Sequence, residues 1–447
     1  MLFKSSRFLP QSTYLAYVLF ILVSVPGSSA QTLPQGLPID TALAHRYLRE
    51  VCTICDKDNG SLWNDQLYGP ILLVEPKSRM VVSNQADSEN NLTGAGEICV
   101  GKLPNEINVA NTALTWAGVK WSMIIWPLPE NRFARTSLMI HELWHRIQDE
   151  IGFPSPLNPT NNHLDSREGR IWLQLEWRAL REALMHHGDE HREAITDALL
   201  FRSYRRKLFL NATTSERALE MHEGLAEYTG IELSGGSEAE RTSYAANKLE
   251  EAPKSESFVR SFAYASGPAY GILLDESRPG WIRMLKPKDD LGVLLQESLP
   301  IELPMDIQKE APERSKKYDG EALRNFEVER ERIRGERSAK YRARLVDGPI
   351  LVIPLQSMSM SFDPHNLLPL DTLGTVYPTI RISDLWGILT VSNGALMNPN
   401  FTRINVPAPS DPNLRPLHGD KWTLELNEGF TVRPSERKGD YIVGKSN

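Results

Sequence analysis

The segment 141–145, His-Glu-Leu-Trp-His, holds the residues of this chain that are best placed to do chemistry. On an α-helix, residues four apart lie on one face, so the rings of His141 and His145 can bind the same metal ion. Glu142 points about 100° away from His141, beside that ion and free to act as a base. The pattern is typical of a catalytic zinc site, although it also arises by chance on solvated helix faces.

The surrounding sequence predicts the helix that this motif needs. Asn131 is the candidate N-cap, and Gly152, followed by two prolines, ends the pattern. Between them, apolar residues recur at helical spacing: Phe133, Ile140, Trp144, Ile147 and Ile151. The two histidines border this apolar stripe, so we expect them to be partly buried rather than solvated.

A catalytic zinc ion takes three protein ligands and leaves a fourth position for water, so a third ligand is required. The candidate is Glu223, in a second helix predicted over Ser215–Leu233. Gly224 and Ala226 are small, so we expect this helix to pack closely on the first. Glu227 lies one turn after Glu223 and could accept a hydrogen bond from the distal ring nitrogen of a histidine ligand.

At these two helices the chain resembles the gluzincin metallopeptidases, a superfamily that includes thermolysin and the aminopeptidase N-like enzymes. The resemblance implies that His141, His145 and Glu223 bind Zn²⁺. It also implies that Glu142 is the general base of a peptidase and that Glu227 supports a ligand, where aspartate is commoner. The similarity covers roughly residues 105–285 and is specific only at the two helices.

The interval between the second histidine and the third ligand is longer than usual in that superfamily. It predicts a helical hairpin, with helices over Arg167–His187 and Glu190–Leu210. Glu176, on an apolar face of this hairpin, is an alternative third ligand, or else an ion-pair partner of Arg178 or Arg181. The other histidines of the region lack the spacing of a second metal site and are interpreted as surface residues: His163, His186, His187, His191 and His222.

A further helix is predicted over Ser257–Asp275, with a bend at Gly267-Pro268. Gluzincin-like enzymes often carry a tyrosine in such a helix, where its hydroxyl stabilises the oxyanion formed during hydrolysis. By this resemblance Tyr264 is the catalytic candidate and Tyr270 the second. Packing in the protein core is the alternative role for either residue.

Strand-forming residues precede the first helix. Ala113–Pro127 reads as β-structure with a turn or bulge at Gly118, and should pair with a hairpin of Ile71–Val74 and Met80–Ser83. Gluzincins place an edge strand just before the zinc helix, where it pairs with the substrate backbone. By resemblance Lys120–Trp126 is that edge strand, and a plain core strand is the alternative.

The N-terminus predicts export. Lys4 and Arg7 precede the apolar stretch Leu15–Val25, and small residues lead up to a cleavage site after Ala30. This apolar stretch is shorter than the ~20 residues that a membrane span needs. We therefore expect a Sec-type signal peptide, a periplasmic or extracellular protein and no stable membrane anchor.

Composition excludes some classes of partner. The chain has a net charge of −7, which loss of Lys4 and Arg7 would make more negative, so a nucleic-acid partner is not expected. The three cysteines, Cys52, Cys55 and Cys99, allow one disulfide after export without fixing its pairing. The Cys-x-x-Cys spacing alone is a weak indication of a redox or metal site.

These observations predict an α+β protein. Residues 1–30 form the signal peptide, 31–300 a mainly helical zincin-like domain with a small N-terminal sheet, and 301–344 a charged helical linker. Residues 345–447 form an antiparallel β domain, for which a sandwich is one interpretation. The expected function is zinc-dependent hydrolysis of a peptide or protein substrate. The alternative is a non-catalytic extracytoplasmic binding protein that zinc stabilises.

Overall fold

The computed structural model describes residues 38–155, 161–363 and 366–446. The signal peptide predicted over 1–30 lies outside this range. Within it the architecture is α+β, as predicted: a small sheet, a helical middle and C-terminal β-sheets. None of the described helices combines 18 or more residues with the hydropathy that a membrane crossing requires.

The N-terminal sheet has six strands in the order β3-β4-β2-β1-β6-β5. The strands are β1 Ile71–Val74, β2 Met80–Ser83, β3 Thr93–Ala95, β4 Ile98–Lys102, β5 Thr112–Trp116 and β6 Val119–Ile125. The predicted hairpin of β1 and β2 is confirmed, and the turn at Gly118 separates β5 from β6. The edge-strand prediction for Lys120–Trp126 was wrong, because β6 lies between β1 and β5, and β5 is the edge.

Eleven α-helices are present in the described part of the chain. They are α1 Thr41–Asp58, α2 Arg132–Ile147, α3 Arg167–Met185, α4 Gly188–Leu208, α5 Ala212–Leu219, α6 Leu225–Leu233, α7 Glu238–Glu251, α8 Phe262–Ser277, α9 Leu291–Ser298, α10 Ile307–Ser315 and α11 Gly320–Arg342. The predicted hairpin is confirmed as α3 and α4. The helix predicted over Ser215–Leu233 is instead divided into α5 and α6 by a π-helical turn, Glu220–Gly224.

One hydrophobic core joins these helices to the inner face of the sheet. Trp144 of α2, together with Trp172 and Trp177 of α3, is fully buried in this core. Helix α11, predicted as an exposed and charged segment, does carry surface ion pairs, but it also buries Glu327. The Glu327 carboxylate accepts hydrogen bonds from Arg170 Nε at 3.0 Å and Gln174 Nε2 at 2.7 Å, which fixes α11 against α3.

The C-terminal strands form two sheets, in the orders β17-β18-β7-β14-β13-β10-β9 and β15-β16-β12-β11-β8. Their bounds are β7 Ile350–Pro354, β8 Ser359–Phe362, β9 Leu368–Pro369, β10 Thr375–Tyr377, β11 Ile380–Asp384, β12 Gly387–Val391, β13 Ala395–Met397, β14 Arg403–Pro407, β15 Leu417–Gly419, β16 Trp422–Leu426, β17 Phe430–Pro434 and β18 Tyr441–Lys445. Both sheets contribute to one core, as Ile353 and Leu389 illustrate, which makes the unit a sandwich. All pairs are antiparallel except β18 with β7.

The sandwich contacts the loop that follows β4. Arg381 Nη2 donates to the carbonyl oxygen of Asn105 at 2.9 Å, and Ser383 Oγ donates to that of Glu106 at 2.9 Å.

The three cysteines, Cys52, Cys55 and Cys99, are free thiols, so the disulfide considered from the sequence is not formed in this structure.

Candidate metal centre

Helix α2 presents the two histidines of the motif on one buried face. The Asn131 side chain caps the helix by accepting from the Ala134 amide, as predicted. Ser122 Oγ of β6 donates to the carbonyl oxygen of Glu142 at 3.0 Å, which fixes the helix to the sheet. The Nε2 atoms of His141 and His145 lie 3.0 Å apart.

Glu223 completes a group that could hold a metal ion. Its Oε2 lies 3.3 Å from His145 Nε2 and 3.7 Å from His141 Nε2. Ligands about 2.1 Å from a tetrahedral ion lie about 3.4 Å from one another, so the three observed separations fit such an ion. Within the described residues these three side chains form a buried group of potential ligands.

Each histidine is oriented by a hydrogen bond on the side away from this group. His141 Nδ1–H donates to Glu227 Oε2 at 2.9 Å, and Glu227 Oε1 accepts from Lys248 Nζ at 2.6 Å. His145 Nδ1–H donates to Gln148 Oε1 at 2.9 Å. These hydrogen bonds favour a proton on each Nδ1, and a neutral ring of that tautomer presents the lone pair of Nε2 to an ion.

The electrostatics around Glu227 favour its ionised form. Burial opposes the charge, but the ammonium of Lys248 and the hydrogen bond from His141 outweigh it and lower the Glu227 pKa to about 2. Glu227 is therefore an acceptor at neutral pH, which keeps the proton of His141 on Nδ1. This is the supporting role that the sequence suggested for Glu227.

Glu142 is buried beside the group without a partner of its own. Neither carboxylate oxygen has a hydrogen-bond partner among the described residues, and Oε1 lies 4.0 Å from His141 Nε2. Burial raises its pKa to about 7. A divalent cation nearby would lower that pKa again and favour the carboxylate. A buried polar group of this kind requires a partner, and a water molecule or a substrate can supply one.

Tyr264 of α8 also reaches the group. Its hydroxyl donates to Glu223 Oε2 at 2.5 Å, and its ring is stacked on His141 with 5.7 Å between ring centroids. Arg260, in the turn that precedes α8, donates from Nη2 to Glu223 Oε1 at 3.1 Å. The site therefore contains two donors beside the Glu223 carboxylate, of which the sequence indicated only Tyr264.

Glycines bring the helices of the site together. A Cβ on Gly267 of α8 would come within 2.3 Å of the Gly224 Cα, and a Cβ on Gly230 of α6 within 2.4 Å of the Ser137 carbonyl oxygen on α2. We expected Gly224 to face α2, but it faces α8, and Gly230 makes the close approach to α2. Both approaches require the absence of a side chain.

Glu176 and Tyr270 lie outside the site. Glu176 is paired with Arg202 and Arg205 of α4, rather than with the arginines of its own helix that we had considered. The Tyr270 hydroxyl donates to Glu176 Oε1 at 2.7 Å. Glu176 is thus held by cations and has no histidine within ion-pair distance among the described residues.

Two histidines interpreted as surface residues are in fact largely buried. His222 Nδ1 lies 3.1 Å from Glu223 Oε1, and its ring packs against His145 at 4.8 Å between centroids. His163 Nε2 lies 2.8 Å from Glu216 Oε1. Spacing on one helix could not reveal either contact, although the position of His222 directly before the proposed ligand was a local signal. Lys248 and Arg260 gave no such signal, because Lys248 lies on α7 and Arg260 in the turn before α8.

Comparison with protein-family models, with curated proteins and with solved structures finds no match. The geometry described above therefore carries the functional argument.

Proposed function

We propose that this protein is a zinc-dependent peptidase of the gluzincin type. The observation that carries the proposal is the Glu142 carboxylate, buried without a hydrogen-bond partner beside three side chains at ligand spacing. A structural zinc ion is usually closed off by four protein ligands and needs no unpaired carboxylate next to it. Three ligands and a neighbouring base are what a hydrolytic site requires.

The donor set favours zinc over other common ions. Two imidazole nitrogens and one carboxylate oxygen suit Zn²⁺, whereas Ca²⁺ and Mg²⁺ require mainly oxygen ligands. The separations among His141, His145 and Glu223 match the tetrahedral geometry that zinc prefers. When bound there, zinc would act as a Lewis acid that polarises the scissile carbonyl group.

The side chains around the ligands supply the remaining steps. Glu142 accepts a proton from the attacking water and passes it to the nitrogen of the leaving amine. We assign to Tyr264 and Arg260, which both donate to Glu223, the stabilisation of the negative charge that develops on the carbonyl oxygen. The hydroxyl that now donates to Glu223 would be released for that oxygen once a cation competes for the same carboxylate.

The substrate is proposed to be a peptide or protein in an extended conformation. The resemblance requires a free strand edge near the zinc helix, and in this sheet that edge belongs to β5, which packs on α2. A peptide could add to β5 through main-chain hydrogen bonds. Export by the segment 1–30 would place this activity in the periplasm or outside the cell.

The test is to purify the exported protein, measure its bound metals by mass spectrometry and incubate it with a mixed peptide library. We expect about one zinc ion per chain, cleavage of the library, loss of cleavage with a chelator and recovery when zinc is restored. Bound zinc without cleavage of any peptide would instead favour the non-catalytic binding protein. Absence of bound zinc after growth with zinc would contradict both functions.

A further inference from the structure

Three arginines of α4 lie in the protein core among four carboxylates, a set that we call the arginine cluster. Its members are Arg202, Arg205, Arg206, Glu176, Glu216, Glu220 and Asp290, all of them buried or nearly so. Within it Arg202 makes a two-bond contact with Glu220, donating from Nη1 to Oε1 at 2.7 Å and from Nη2 to Oε2 at 2.5 Å. The proposed mechanism uses none of these groups.

Stability alone is a weak explanation for such a cluster. Removing charges from water costs free energy that their mutual attraction only partly returns, and well-packed apolar side chains often serve as well. What the buried ion pairs add is direction, since a guanidinium group binds a carboxylate through two parallel hydrogen bonds of fixed geometry. The informative question is therefore which element the cluster orients.

The arginines of the cluster bind two glutamates from a row of four on the segment that follows α4. Glu216, Glu220, Glu223 and Glu227 follow one another at spacings of four, three and four. On an uninterrupted α-helix they would lie within about 60° of one another, on one face. In the structure the first two pair with arginines of α4, and the last two contact His141 and His145.

The π-helical turn Glu220–Gly224 produces this division. The Leu225 amide donates to the carbonyl oxygen of Glu220, five residues back instead of four. The extra residue rotates the helix after the turn by about 100° relative to the helix before it. Glu223, inside the turn, and Glu227, beyond it, therefore do not share the face of Glu216 and Glu220, and they face α2 instead.

We propose that Arg202 is a positioning residue for the metal centre: its two-bond contact with Glu220 sets the register of the π turn and so aims Glu223 at the two histidines. Glu220 is the first residue of the turn, and Gly224, the last, is fixed by its contact with Gly267. An α-helical turn in the same place would leave Glu223 on the face that now contacts the cluster. This inference rests on the zinc site of the proposed function.

The test compares Glu220→Gln with Glu176→Gln. Each removes one fully buried carboxylate charge from a contact with Arg202, but only Glu220 belongs to the π turn. Zinc affinity is measured by competition with a chelator on samples whose folding is checked by circular dichroism and thermal unfolding. We expect Glu220→Gln to weaken zinc binding by about 10- to 100-fold, the effect of losing support for a ligand. Glu176→Gln should bind zinc as the wild type does, even if its melting temperature falls equally.

Equal zinc affinities in the two folded variants would overturn the proposal. If either variant fails to fold, Arg202→Lys replaces the comparison, because lysine keeps the charge but cannot make the two-bond contact. Its control is Arg170→Lys, in the separate buried pair with Glu327. Weaker zinc binding in Arg202→Lys alone supports the positioning role, and unchanged binding excludes it. Failure of the wild type to bind zinc would instead refute the proposed function.

Discussion

Replacing Glu227 by glutamine creates a conflict that the wild-type carboxylate avoids. Glu227 accepts from His141 through one oxygen and from Lys248 through the other. A glutamine side chain offers only one acceptor oxygen, so its NH₂ group must face either the ring N–H or the ammonium group. In either orientation the amide NH₂ group faces another hydrogen-bond donor, which is left without an acceptor. His141 also loses the anion that holds its proton on Nδ1.

The expected magnitudes follow from burial. An unsatisfied buried donor costs about 1–3 kcal/mol. The Lys248 side chain is 28% exposed, so water partly replaces the lost contact and the loss of stability should lie near the lower limit. Loss of support for a zinc-binding histidine typically weakens metal affinity by about 10- to 100-fold, equivalent to about 1.4–2.8 kcal/mol.

The assay combines chelator competition for zinc with thermal unfolding of Glu227→Gln and of the double variant Glu227→Gln/Lys248→Met. In the double variant the amide has a single donor to satisfy, so its oxygen can turn to His141. We expect stability and part of the zinc affinity to recover. Wild-type zinc affinity in Glu227→Gln would refute the argument that Glu227 orients His141.

Three further predictions follow from the described contacts and from the N-terminal sequence. Glu223→Ala should lose zinc on dialysis, whereas Glu176→Ala should keep it but lose about 3–5 kcal/mol of stability, because two buried arginines lose a partner; the opposite pattern of zinc loss would reverse the ligand assignment. Gly267→Ala should lower the free energy of unfolding by about 1–3 kcal/mol and weaken zinc binding, because the new Cβ meets the Gly224 backbone. Its control is Gly335→Ala on α11, where the new Cβ lies in open space and should not destabilise the fold. N-terminal sequencing of the exported protein should begin at Gln31, and a sequence starting at Met1 would contradict the signal peptide.

Local features of the fold could be predicted from the sequence. The helix of the histidine motif and its Asn131 cap depend on apolar spacing and on one side-chain hydrogen bond, and both are confirmed. Strands β1 and β2 were predicted from strand-forming residues, and the α3–α4 hairpin from apolar residues at helical spacing. The position of Glu223 beside the histidines was predicted from a second helix and from the resemblance, although the π turn that contains Glu223 was not predicted.

Features that depend on tertiary contacts could not be predicted. The π turn has no local signature, because the partners of its first and last residues, Arg202 on α4 and Gly267 on α8, lie on other helices. Strand order is another case: Lys120–Trp126 has a sequence suited to either an edge or the interior, and pairing with β1 decides between them.

The most direct test of the central claim is peptide hydrolysis by Glu142→Gln. Glutamine has nearly the shape of glutamate, and the Glu142 side chain makes no hydrogen bond that its replacement would break among the described residues. Turnover of the peptide library, bound zinc and circular dichroism are measured on the same samples as the wild type. We expect bound zinc and an intact fold with turnover reduced at least ~10²-fold, the lower range for loss of a general acid–base group. Turnover equal to that of an active wild type would contradict Glu142 as the base.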